Sequence, residues 1–203
     1  MALVASWRAY EHRLRRQILS HARGNVLEIS VGPGINFNYY PFDVSVTATD
    51  LSVKMIQKAR LKALESGIDA TFIVSSTTEL DLPMHSFDTV VSTFSICEYE
   101  RPAEALNQFN YWCKPGGTVL LLEPGLSNFR LLRLFQKMLA RGYYKKTGSH
   151  IDLDLKSIIA SSPLSIRTLE RKLGGILYIV LATPSDNNQR SYDLQTIKKD
   201  YFQ

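Results

Sequence analysis

Residues 26–36, VLEISVGPGIN, place an acidic residue, Glu28, near the end of an apolar run and two glycines, Gly32 and Gly34, in the turn that follows. Asp50 closes the next apolar run, eighteen residues after Gly32. Glycines without a Cβ let backbone approach a ligand closely, and a carboxylate at the end of a second strand can accept hydrogen bonds from a ribose diol. Together they suit a ligand that carries adenosine. The plain alternative is an ordinary turn beside a polar strand-end residue, because short glycine patterns recur by accident.

The third glycine discriminates among such ligands. A dinucleotide fingerprint needs glycine at 37, where Phe37 stands, and no GK[ST] phosphate loop occurs in the chain. A cofactor with ribose and adenine but no phosphate remains, and S-adenosylmethionine has that chemistry. Glu28 would then order the glycine turn and serve the cationic amino-acid end of the cofactor, directly or through water.

The elements that must position these residues follow from periodicity. Trp7, Tyr10, Leu14, Ile18 and His21 recur at helical spacing over 5–22, with Arg8, Arg13, Arg15 and Arg16 mostly on other faces. Strands are expected at 25–30, 44–50, 70–76, 88–96, 118–124, 164–172 and 175–183. Helices are expected at 52–67, with Ser52 capping the start and Gly67 past the end, at 103–113 before a KPGG turn, at 127–141 and near 152–161. Alternating strands and helices with near-continuous apolar strands predict an α/β fold with a mostly parallel sheet covered on both faces. The LGG between the last two strands is short enough for a hairpin, so the sheet should end in an antiparallel pair.

With 203 residues the chain is about one domain, read as 1–183, with the helix over 1–22 as a candidate lid and 184–203 as a polar tail, partly disordered or loosely helical. A net charge of +5 is too small to name nucleic acid as a partner, and none is expected. Two cysteines, Cys97 and Cys113, have no metal-ligand spacing, so no metal is expected and a reducing compartment fits. Charge arrives at Arg8, too early for a signal peptide, and the expected location is cytoplasmic.

Four segments in order, VLEISVGPG, VTATDLSVKMIQKAR, SFDTVVSTFSICEY and CKPGGTVLLLEP, carry a resemblance to the class I S-adenosylmethionine-dependent methyltransferases over roughly residues 5–183. GPGINFNYYP and the segment from VVSTFSICEY to KPGG are similar to small alkyl-thiol methyltransferases, and quinone and phospholipid methyltransferases share much of the pattern. The resemblance implies a single-domain, Rossmann-like, seven-stranded sheet with an antiparallel C-terminal strand and helices on both faces. It implies that Gly32 and Gly34 cradle the methionine part with Glu28 beneath, and that Asp50 binds the ribose. Leu51 and Met55 would flank adenine, Ser76, Thr77 and Thr78 would meet its edge, and Thr93 and Phe94 would line the sulfonium side. Two departures stand out: Ser30 occupies a position where the family usually has glycine, and no acidic residue stands at 77 or 78.

Methyl transfer from a sulfonium is an in-line displacement that needs alignment and exclusion of water more than catalytic side chains. Candidates for the acceptor side are Cys97, Glu98, Tyr99, Tyr143, Tyr144 and His150, with Trp7 and Tyr10 from the first helix. Glu98, Tyr99 and His150 are the candidate catalytic groups. A lone buried Cys97 reads first as a core residue, and Glu98 as a solvated side chain before a turn. The helix at 127–141 reads first as packed on the sheet with a solvated basic face, and second as an interfacial helix that contacts an anionic membrane. The acceptor is expected to be a small lipophilic nucleophile, with a thiol favoured over a phospholipid or quinone precursor. A catalytically silent cofactor-binding protein is the third reading, motivated by Ser30 and by the missing acidic contact for adenine.

Overall fold

The computed structural model describes residues 2–185, with side chains from Ser6 onward, so most of the polar tail lies outside the described residues. Seven strands form one sheet: β1 (Asn25–Ile29), β2 (Ser45–Asp50), β3 (Asp69–Val74), β4 (Phe87–Thr93), β5 (Cys113–Pro124), β6 (Leu164–Lys172) and β7 (Leu177–Pro184). Their order is β3-β2-β1-β4-β5-β7-β6, with β1 to β5 parallel and β7 antiparallel to both neighbours. Leu173–Gly175 makes the expected hairpin, with Gly174 and Gly175 at φ of 66° and 81°. The strand order reverses between β1 and β4, so a crevice opens at their carboxyl ends.

Among the described residues there are five helices: α1 (Ala2–Leu19), α2 (Val53–Ser66), α3 (Pro102–Trp112), α4 (Arg130–Thr147) and α5 (Leu155–Ala160). On one face of the sheet Leu14 and Ile18 of α1, Phe37 and Tyr40 after β1, and Ile56 and Ala59 of α2 share a core with Val26, Val46 and Leu120. On the other, Leu106 and Phe109 of α3 and Leu155 and Ile159 of α5 cover Leu27, Val90 and Leu121. Ser52 caps α2 by accepting from Met55 N at 3.3 Å, and Gly67 ends it at φ 67°. Gly34 belongs to this packing: at φ 83°, a Cβ there would lie 2.8 Å from the Phe37 ring and 3.0 Å from Ala59 Cα.

The structure differs from the sequence reading in three places. α1 ends at Leu19, so His21 falls beyond the helical repeat and is exposed, whereas Arg15 is buried at 6% exposure because it finds polar partners inside. KPGG extends β5 instead of preceding it: Cys113 pairs with Phe87 before the register shifts. α4 runs to Thr147, where Gly148 at φ 74° closes it, and it does not pack on the sheet. Ala140 is its buried residue, while Leu134 is 65% exposed and Met138 67%. Gln136 fastens α4 at one edge, donating to Gly125 O and Ile151 O at 2.9 and 2.8 Å and accepting from Ser127 N at 2.8 Å. Among the described residues no helix is long and apolar enough to cross a membrane.

Candidate functional site

The crevice is tied together by Asp50. Its Oδ2 accepts from Gly32 N at 2.8 Å and its Oδ1 from Ser52 N at 2.9 Å, so one carboxylate joins the turn after β1 to the start of α2. Each oxygen keeps lone-pair capacity for an outside donor. Gly32 sits at φ 56°, and a Cβ at this position would meet no atom within 4 Å. The two glycines therefore differ: Gly34 faces α2, and Gly32 faces open space. Leu51, beside Asp50, is exposed, and Met55 is half-buried one turn along.

Behind the turn lies a buried polar network. Glu28 Oε1 accepts from Asn36 Nδ2 and Oε2 from the Tyr40 hydroxyl, each at 2.8 Å. Asn36 Nδ2 also donates to Thr93 Oγ1 at 3.0 Å. Arg15 Nη1 donates to Asn36 Oδ1 at 2.6 Å and to Thr93 Oγ1 at 2.9 Å, and Glu11 holds Arg15 Nη2 at 2.7 Å. The Arg15 guanidinium lies 5.1 Å from the centre of the Phe94 ring, and Phe94 itself has φ 56°. Burial pushes Glu28 up to about 7 against the hydrogen bonds from Tyr40 and Asn36 and the charge of Arg15. Glu28 and Thr93 thus spend their polar atoms on holding the glycine turn and β4 together.

Ser30 has a partner of its own. It adopts φ 54°, a left-handed conformation that costs a residue with a Cβ about 1 kcal/mol. Its Oγ lies 3.3 Å from the Tyr99 hydroxyl, which in turn lies 2.6 Å from Thr77 Oγ1. This chain links the segments after β1, β3 and β4. Ser76 Oγ lies 3.1 Å from Thr78 Oγ1 and donates to Glu79 Oε2 at 3.0 Å, so the loop after β3 does carry a carboxylate, just beyond the expected position. Ser30→Gly should remove the backbone strain and a long hydrogen bond together, for a net gain of about 0.5 kcal/mol. A midpoint of thermal unfolding one or two degrees higher checks it; a lower midpoint would mean that the Tyr99 bond outweighs the strain.

Cys97 and Glu98 lie in a 3-10 turn, Ile96–Glu98, after β4. Glu123, at the end of β5, props this turn: Oε1 accepts from Ser92 Oγ at 2.6 Å and Ser95 N at 3.2 Å, and Oε2 from Ile96 N at 3.2 Å. Burial holds Glu123 near 7. Burial, reinforced by Glu123 and Glu98, pushes the Cys97 thiol up to about 12, so it stays protonated in the core. Glu98 is exposed at the rim of the crevice, yet its carboxyl is also raised, first by partial desolvation and then by repulsion from Asp50, with a hydrogen bond from Ser149 opposing both. His150 N donates to Cys97 O at 2.7 Å, and its ring stacks on Tyr144 with centroids 4.4 Å apart.

The structure therefore gathers Glu28, Ser30, Gly32, Asp50, Thr77, Thr93, Phe94, Glu98 and Tyr99 around the carboxyl ends of β1, β2 and β4. Trp7 and Tyr10 pair with each other at 6.3 Å, and Arg13 lies over Tyr10. It is Arg15 that carries α1 to the site. Tyr143 remains 44% exposed on α4. Arg15, Asn36, Tyr40 and Glu123 escaped sequence reasoning, and a charged residue next to Leu14 on the buried stripe of α1 was the one available signal.

This sheet order with β7 inserted antiparallel, and a glycine turn answered by Asp50, define a Rossmann-like methyltransferase fold. A family model described as a methyltransferase domain matches residues 27–121. The chain is 30% identical over 157 residues to a phosphatidylethanolamine N-methyltransferase of Cereibacter sphaeroides, covering 75% of this chain and 77% of that one. It is 29% identical over 144 residues to a ubiquinone/menaquinone biosynthesis C-methyltransferase of Bdellovibrio bacteriovorus, covering 68% of this chain and 61% of that one, less than two thirds of its length. A solved S-adenosylmethionine-dependent methyltransferase from Methanosarcina mazei has the same fold, with a TM-score of 0.63 at 19% identity over 79% of this chain and 92% of that one. The chain belongs to the class I S-adenosylmethionine-dependent methyltransferases, and S-adenosylmethionine is the methyl donor of that family.

Proposed function

We propose that the methyl acceptor is the amine head of an amphiphilic lipid of the ethanolamine-phospholipid class. The observation that carries this reading is the position of Glu98 in the turn after β4, next to Tyr99, whose hydroxyl reaches Ser30 and Thr77 across the crevice. A carboxylate at that point attracts an ammonium and repels a thiolate, which reverses the preference for a thiol drawn from sequence. The Cereibacter relative, named for a phosphatidylethanolamine N-methyltransferase activity, supports the same class.

S-adenosylmethionine supplies a methyl group already activated on a sulfonium. In this reading Asp50 takes the ribose hydroxyls, and Leu51 and Met55 flank adenine with Ser76, Thr77 and Thr78 at its edge. The open face of Gly32 receives the methionine part, while Glu28, Gly34 and Thr93 act from behind by fixing the turn. Phe94 and Tyr99 line the side from which the acceptor arrives. Glu98 draws the ammonium in and accepts its proton, directly or through water, so that the nitrogen lone pair is free for in-line attack.

A quinone precursor is the second reading, favoured by the Bdellovibrio relative. Calorimetry with the cofactor and its demethylated product, followed by labelled-methyl transfer to thiols, phenols, soluble amines and detergent-dispersed phosphatidylethanolamine, separates them. Label in phosphatidylethanolamine is expected. Label confined to phenols or to thiols would replace the lipid amine by that class.

A further inference from the structure

We propose that α4 is a membrane-docking element whose apolar ridge enters the interface of an anionic lipid bilayer. Leu131, Leu134, Phe135, Met138 and Leu139 follow three- and four-residue spacing, so they share one side of the helix. All five are more than half exposed, Leu131 reaching 75%. Isolated exposed leucines need no explanation, but a continuous row on one helix does. The row also continues beyond the helix: Phe129 and Leu132 lie against Gly174 of the β6–β7 turn, next to the exposed Leu173.

Charge selects the occupant. α4 carries Arg130, Arg133, Lys137, Arg141, Lys145 and Lys146 and no acidic residue. Two copies of this chain meeting ridge to ridge would set these cations against each other with no carboxylate on either helix to offset them. An anionic lipid surface offers apolar depth for the ridge and negative charge for its flank. The attachment suits the same use, since Gln136 and Ala140 fasten the helix along one edge and leave the ridge outward.

The fastened edge of α4, opposite the ridge, adjoins the turn that carries Glu98. Tyr144, near the end of α4, stacks on His150, and His150 N donates to Cys97 O beside Glu98.

Flotation of the full-length chain with vesicles tests this without reference to activity or acceptor. Vesicles of phosphatidylcholine mixed with phosphatidylglycerol should carry the protein up the gradient, less so as salt rises, and phosphatidylcholine alone should not. Lys137→Gln with Arg141→Gln should weaken binding about 25-fold, taking about fivefold for each cation near the surface. Leu134→Glu with Phe135→Glu, both at exposed positions, should abolish binding with an unchanged circular dichroism spectrum. Wild-type binding that survives the glutamate substitutions, or that is equal on neutral vesicles, overturns the proposal. So does failure to bind any vesicle, and sedimentation velocity then tells whether a second copy covers the ridge, because the glutamates would turn that dimer into a monomer.

Discussion

Asp50→Ala should weaken S-adenosylmethionine binding by about 100-fold while the domain still folds. A charge-assisted hydrogen bond to a carboxylate contributes about 1.5–3 kcal/mol, and two ribose hydroxyls on one carboxylate reach the affinity change stated. The substitution also frees Gly32 N and Ser52 N, which Asp50 holds at 2.8 and 2.9 Å. Both lie at the half-open crevice, where water can replace the lost acceptor, so the cost to stability should be about 1–2 kcal/mol. Calorimetry reads the affinity and thermal unfolding reads the fold. Gly32→Ala is the companion measurement, because its methyl group would enter the open space in front of the turn at the cost of a strained φ. Gly34→Ala would instead drive a methyl into Phe37 and Ala59 and should unfold the turn itself. Unchanged affinity in Asp50→Ala would remove the ribose from this carboxylate.

Those glycines show where sequence reading reaches its limit. Both stand in one tripeptide, and both adopt positive φ, yet one borders open space and the other a helix that arrives from residues 53–66. Local signals were legible because they act locally: Ser52 and Gly67 mark the ends of α2, and LGG makes the β6–β7 turn. The apolar strand runs likewise conveyed a mostly parallel sheet. Positions that depend on distant partners were not legible. Glu123 props a turn some thirty residues earlier in the chain, and Ser30 meets Tyr99 across the crevice. The helical period of α4 conveyed that it has an apolar side, but periodicity carries no information about what, if anything, lies against that side.

The buried network behind the turn makes the second large prediction, on Arg15. Arg15→Met keeps most of the side chain's volume and removes the charge that faces Asn36, Thr93 and, through Asn36, Glu28. Breaking one side of a buried ionic network typically costs about 3–5 kcal/mol, so the unfolding midpoint should fall by about 10 °C. The loss should depend on pH in a defined direction. Glu28 has its folded pKa raised to about 7 from 4.5, so it favours the folded state below pH 4.5, and that contribution is lost as the pH rises through 7. Arg15 works against this loss by favouring the ionised carboxylate. Below about pH 6 Glu28 is mostly protonated and has little need of a cation, whereas above it the carboxylate ionises with no counter-charge in the variant. The deficit of Arg15→Met should therefore widen from pH 6 to pH 8, and Glu28→Gln added to it should flatten that dependence. Thermal unfolding across this range checks both. A deficit that is constant with pH would mean that Arg15 acts through packing and its bonds to Asn36 and Thr93, with no electrostatic link to Glu28. The pairing matters for function because the same side chains set where Gly32 presents its open face, so the double variant should lose the pH dependence without recovering full cofactor affinity.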